Sequence, residues 1–149
     1  MALRRTRVFV KETGESPYAV RVEMGAHLLT GDEPLDAGGS DLGPAPFDLM
    51  TAALAECTAM TVRWYALQHD WPLDHVEVTV DHARKLLAGA SEPVDVFDKT
   101  VILRGSRLSE GQRARLLDIA TKCPIQRVLE GAPTIMTKAG TPLDEAFDS

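Results

Sequence analysis

The sequence predicts an α+β fold, and three observations carry that prediction. Several segments alternate apolar and polar residues with period two, the signature of half-buried strands. One long segment is apolar around most of a helical circumference. The order is strands, long helix, strands and then further helices, not the regular βαβ alternation of a doubly wound sheet.

At the N-terminal end, Arg7–Lys11 reads as a short strand, with the basic cluster Arg4-Arg5-Thr6-Arg7 leading into it. Tyr18, Val20, Val22 and Met24 then share one face, while Ala19, Arg21 and Glu23 take the other. The long helix spans Pro46 to Gln68. Pro46 suits a first helical position, where its missing N–H would be unpaired in any case. Only Asp48, Glu56 and Arg63 are charged along this helix, so it is expected to be buried on several sides, either in a deep core or against a second subunit.

Alternation returns at Val76, Val78 and Val80, and less cleanly at Val101 and Leu103 opposite Thr100, Ile102 and Arg104. A second helix opens with a capping box, Ser109 and Gln112 satisfying each other's backbone N–H groups. Leu116, Ile119, Ala120 and Cys123 line one stripe of it, and Pro124 must break it. A short helix over residues 125–130, closed by Gly131, and a strand over residues 134–137 are expected to follow. The chain is read as a single domain over residues 1–149, with residues 139–149 as a loose tail.

The chain has 149 residues and a formal net charge of −6, which leaves no basic footprint for nucleic acid or an anionic membrane. No apolar run approaches the roughly 20 residues of a membrane span, and no signal-peptide core is evident, so a cytoplasmic protein is expected. In a reducing compartment, two cysteines are a poor structural staple. They serve either as small buried hydrophobes or as a working redox pair.

Cys57 lies mid-helix, with Met50, Ala53, Leu54, Met60, Thr61 and Trp64 as neighbours at helical spacing. Its thiol is either packed in the core or sheltered as a nucleophile in an apolar pocket. Cys123 precedes the helix-breaking Pro124, where the backbone turns. The two are far apart in the chain, so only tertiary structure can join them. No metal is expected: His27, His69, His75, His82 and the two cysteines show no ligand spacing. Gly38-Gly39 lacks the context of a phosphate-binding loop.

Taken together, Asp32-Glu33-Pro34, Gly38-Gly39-Ser40-Asp41-Leu42-Gly43-Pro44, the helix stretch from Ala52 to Thr61 around Cys57, Trp71-Pro72-Leu73 and Lys122-Cys123-Pro124 resemble the OsmC/Ohr family. The similarity runs in the family's order from Asp32 to Thr137. The resemblance implies antiparallel sheets wrapped around long central helices in an intertwined homodimer. It implies a peroxidase in oxidative-stress defence, reducing organic hydroperoxides without a cofactor, an external thiol or dithiol serving as reductant. By position Cys57 would be the peroxidatic residue, Cys123 the resolving one and Arg21 the catalytic arginine. Phe47, Met50, Leu54, Met60 and Trp64 would form the substrate pocket.

One departure stands out. The family's best-characterised branch has a glutamate directly after the helix-starting proline, where this chain has Phe47. Asp48, the next residue, lies on the opposite helical face from Cys57 and cannot replace it from within the same helix. The departure keeps open a non-catalytic small-molecule-binding module or a redox sensor on the same fold.

Overall fold

A computed structural model describes residues 4–141. The sequence-expected tail beyond residue 141 lies outside the described residues; residues 139–141 are exposed and without regular structure.

The described residues fold as two antiparallel sheets and three α-helices. The first sheet has the order β1 (Phe9–Glu12), β2 (Val20–Met24), β3 (His27–Gly31). Strand β1 begins later than expected, so Arg4–Val8 lead into the sheet without pairing in it. Strand β3 was not evident in the sequence, because His-Leu-Leu-Thr-Gly lacks both β-branched enrichment and alternation. What makes it a strand is the two-residue turn at Gly25-Ala26, which Gly25 enters with φ 62° and which sets Met24 opposite His27.

The loop after β3 is held by one carboxylate. Asp32, only 3% exposed, accepts hydrogen bonds from the Ser16 hydroxyl and from the backbone N–H groups of Glu33, Ser40 and Leu42. Burial pushes this carboxyl up, and the four hydrogen bonds outweigh that, leaving it below the ordinary range. Gly39 and Gly43 let backbone pass backbone here: a Cβ at either would collide with the carbonyl of Glu33 or of Thr30. The glycine-rich stretch is therefore a tight packing device that delivers the chain to the long helix.

Helix α1 runs over Pro46–Gln68, as its sequence limits predict. Asp48 in its first turn accepts the Ala45 N–H at 2.9 Å. Its buried residues, Leu54, Thr58, Val62 and Ala66, recur every four positions and form one inner stripe. Strands β4 (His75–Lys85) and β5 (Val94–Arg104) make a long hairpin against α1, longer than the alternation alone indicated. Its inward face carries Val76, Val78, Val80 and His82 opposite Leu103, Val101, Lys99 and Phe97.

Helix α2 (Glu110–Ala120) starts with the expected capping box at Ser109 and Gln112, and α3 (Pro124–Glu130) follows with Cys123 as its N-cap. Val62, Ala66, Leu73, Leu108, Leu116 and Ala120 form the buried core between α1, α2 and the hairpin. The expected strand at residues 134–137 does not form. Pro133 precedes it, no strand pairs with it among the described residues, and Ile135 and Met136 stand 84% and 91% exposed.

Candidate functional site

The site is built where α1 meets the α2–α3 junction. On α1, Thr58 belongs to the inner stripe and is fully buried, while Cys57, one residue earlier, is half-buried on the side facing α3. Pro124 stops α2 from running on, since its ring cannot donate to the preceding turn, and α3 restarts in a new direction. That break turns Cys123 inward at the start of α3, where it is 0% exposed. The two cysteines come together there as free thiols, near enough for Cys123 to push the Cys57 thiol up.

Their surroundings differ. Cys57 opens into a cleft of about 840 Å³ walled by Ala53, Met60, Trp64, Pro124 and Ile125, with Lys122 and Arg127 among its polar lining. Burial pushes the Cys57 thiol up. The backbone N–H of Ile125 pulls it down, the charge and hydrogen bond of Cys123 push it up again, and the nearby Thr61 hydroxyl pulls it down. The Thr61 hydroxyl is buried and, among the described residues, meets no partner at hydrogen-bond geometry, so its influence on Cys57 is that of a nearby dipole.

Cys123 is enclosed by polar groups. Its sulfur lies 3.4 Å from the Gln126 N–H and 3.5 Å from the Thr58 hydroxyl. The Thr58 hydroxyl also lies 2.8 Å from the Leu54 carbonyl. Behind it sits Lys99 of β5. Its ammonium donates to Thr58 Oγ1 at 3.1 Å, to the Ala120 carbonyl at 2.6 Å and to Gln126 Oε1 at 2.6 Å. Burial pushes this ammonium down, opposed by the charges of Cys123, Glu130 and Cys57. Gln126 in turn donates to Glu130 at 2.7 Å.

Lys99 is the functional candidate that sequence reasoning missed, and a signal for it existed. It shares the strand parity of Phe97, Val101 and Leu103 and lies opposite Val80, so it is a lysine on an apolar face.

The other sequence-expected residues are distributed as follows. Met60 and Trp64 line the Cys57 cleft. Leu54 is buried on the inner stripe and lines a second cavity of about 540 Å³, whose walls include Phe97, Lys99, Gln126 and Leu129. Met50 lines neither. Phe47 is half-exposed in the first turn of α1 and stacks on His82, ring centroids 4.7 Å apart, while His82 binds Asp95 at 2.9 Å. Arg21 is exposed on β2 and paired with Glu23 at 2.9 Å. Arg63 points away from the thiols and binds the carbonyls of Leu73 and Asp74, tying α1 to the start of β4. Among the described residues no three His, Cys, Asp or Glu side chains gather to hold a metal, and no helix is long and apolar enough to cross a membrane.

Chemically, the arrangement is a dithiol that can close to a disulfide: one sulfur accessible from an apolar cleft, the other shielded and hydrogen-bonded near an ammonium.

Known proteins share this architecture. An OsmC-like protein from Mycoplasma pneumoniae superposes with a TM-score of 0.70 at 16% identity, over 86% of this chain and 89% of that one. An organic hydroperoxide resistance protein from Legionella pneumophila gives 0.62 at 21%, over 88% and 93%. The organic hydroperoxide resistance protein OhrB of Bacillus subtilis gives 0.57 at 19%, over 87% and 93%. A search of curated proteins finds no significant sequence match. The profile of the family described as OsmC-like protein matches residues 38–138, more than half the chain, and takes in both cysteines and the whole of α1. With fold and profile in agreement, this chain belongs to the OsmC-like protein family.

Proposed function

We propose that the chain is a thiol-dependent peroxidase that reduces organic hydroperoxides in oxidative-stress defence, with Cys57 the attacking thiol and Cys123 the resolving one. The observation that carries this reading is the meeting of two free thiols from distant elements, one of them open to an apolar cleft. Relatives of this fold named as organic hydroperoxide resistance proteins support it.

In the first step the Cys57 sulfur attacks the distal oxygen of the hydroperoxide, breaking the O–O bond. The thiol becomes a sulfenic acid and the substrate leaves as an alcohol. In the second step the Cys123 sulfur attacks Cys57, expelling the hydroxyl, which leaves as water with the Cys123 proton. An external dithiol then reduces the disulfide, and no cofactor takes part. A second thiol at hand protects the sulfenic acid from over-oxidation. The cleft walls Met60, Trp64 and Ile125 favour an alkyl substituent over hydrogen peroxide, because burying an alkyl group removes apolar surface from water.

The nucleophile is the thiolate, and an ordinary thiol is only about 3% ionised at pH 7. The chain's own groups leave Cys57 above the ordinary range, so the reading calls for a further cation. Arg21 is assigned that task, delivered by a partner subunit in a homodimer. The uncovered apolar side of α1, with Met60, Trp64 and Leu67 each about half or more exposed, supports such a pairing. The reading places the protein in the cytoplasm, where small reductants keep both thiols reduced.

Phe47 favours a second reading. Stacked on His82, it presents no carboxylate where the family's characterised branch has one, as a non-catalytic binding module for small apolar molecules would. A steady-state assay with cumene hydroperoxide and a dithiol separates the two. The peroxidase reading expects turnover that falls about a thousandfold or more in Cys57→Ser. Equal, slow turnover by both proteins, with an apolar ligand retained in native mass spectra, decides for the binding module.

A further inference from the structure

We propose that Lys99, acting through the Thr58 hydroxyl, serves Cys123 rather than Cys57, and so sets the rate of disulfide closure as a positioning residue. The inference deepens the peroxidase reading and rests on it for the chemistry that follows.

The geometry is directional. The Lys99 ammonium has three N–H donors and three acceptors in place: Thr58 Oγ1, the Ala120 carbonyl and Gln126 Oε1. It is therefore held, not free to swing into the Cys57 cleft, and it is absent from the lining of that cleft. The Thr58 hydroxyl accepts from Lys99 and has a single proton to give. Two acceptors compete for it: the Leu54 carbonyl at 2.8 Å and Cys123 Sγ at 3.5 Å. A neutral thiol leaves the proton with the carbonyl. A thiolate is the stronger acceptor and draws it to sulfur, with the lysine charge directly behind. Gln126 closes the loop, because its backbone N–H points at Cys123 while its side chain receives Lys99 and donates to Glu130.

The charged and titratable groups around Lys99 are the two thiols, Glu130 of α3, and Asp95 on the wall of the same cavity. On β4, Val80 lies opposite Lys99 and the titratable His82, next along the same face, is bound to Asp95; Ala120 of α2 offers a carbonyl. Of the two sulfurs, Cys123 is the one the lysine's bonded path reaches.

The step served is the attack of the Cys123 sulfur on the Cys57 sulfenic acid. One S–S bond forms, one S–O bond breaks, and the Cys123 proton leaves with the hydroxyl as water. Lys99 exchanges no proton in it. It holds the hydroxyl whose proton stabilises the attacking sulfur before the bond forms.

Two experiments test the proposal. In a Cys57→Ala background, thiolate absorbance reports Cys123 alone, and Lys99→Met is expected to move its titration to higher pH, with Lys99→Arg restoring part of the shift. A lysine that merely satisfies the Ala120 carbonyl would leave the titration unmoved while lowering the melting temperature, and that result overturns the proposal. Should Lys99→Met fail to fold, Thr58→Val keeps the test open: it fills the same space, keeps the lysine, and is expected to shift the same titration. In the two-cysteine protein, Lys99→Met is expected to slow disulfide closure about tenfold and to raise Cys57 sulfinic acid, with sulfenic acid formation changed less than about threefold. Equal slowing of both steps assigns the lysine to Cys57 and overturns the proposal. A shifted Cys123 titration without any oxidation by hydroperoxide keeps the lysine's role and removes the peroxidase reading instead.

Discussion

The surroundings of Cys57 and those of Cys123 hold the same functional group and treat it oppositely. Cys57 faces an apolar cleft, has one backbone N–H as its main polar support, and is pushed up by burial. Cys123 has no exposed surface, a backbone N–H aimed at its sulfur, the Thr58 hydroxyl within reach, and an ammonium behind that hydroxyl. A single residue step on α1 creates the contrast. Rotation by about 100° separates Cys57 on the cleft side from Thr58 on the core side. The difference teaches that access, rather than sequence order, divides the labour. On the proposed peroxidase reading, the sulfur open to the cleft attacks the hydroperoxide, and the shielded sulfur is kept for resolution.

The sharpest way to break the contrast is to remove the shielded partner. Cys123→Ser is expected to lose about tenfold or more of dithiol-driven turnover while keeping the first oxidation, so that excess hydroperoxide converts Cys57 to its sulfinic acid. Mass spectrometry of the treated protein checks this; a variant that recycles at the wild-type rate would mean that the external thiol attacks Cys57 directly.

Acidity sharpens the comparison further. Because the chain raises the Cys57 thiol, the thiolate fraction at neutral pH lies below the ordinary value. The rate of Cys57 oxidation should therefore climb with pH, about tenfold per unit below the thiol range. If Arg21 of a partner offsets that rise, Arg21→Ala moves the climb to higher pH. Superimposable profiles would place Arg21 outside the site.

The smallest expected effect concerns the cleft wall. Trp64→Ala removes apolar surface beside Cys57 and should lower kcat/KM for cumene hydroperoxide about tenfold, with hydrogen peroxide affected less than about threefold. Parallel losses for both substrates would point to damage at Cys57 itself.

Much of the fold could be read from local patterns. Pro46 and the apolar run set α1, Ser109 and Gln112 set the start of α2, and alternation located β2, β4 and β5. The misses were places where tertiary pairing overrides local preference. Strand β3 exists because a tight turn at Gly25 folds it onto β2, and Thr134–Thr137 stays irregular because nothing pairs with it among the described residues. The site was legible in part. Two cysteine motifs marked its ends, but the inward turn of Cys123 depends on the break at Pro124 and on packing against α1. Lys99 follows from extending the strand parity two residues back from Val101, but Ile102 blurs the alternation of β5 and hides it.

The most direct measurement is a map of the thiols after a single equivalent of organic hydroperoxide, made by mass spectrometry on unreduced peptides. One product is expected, a disulfide joining Cys57 to Cys123 within one chain. Sulfinic acid confined to Cys57, or a disulfide linking two chains, would contradict it.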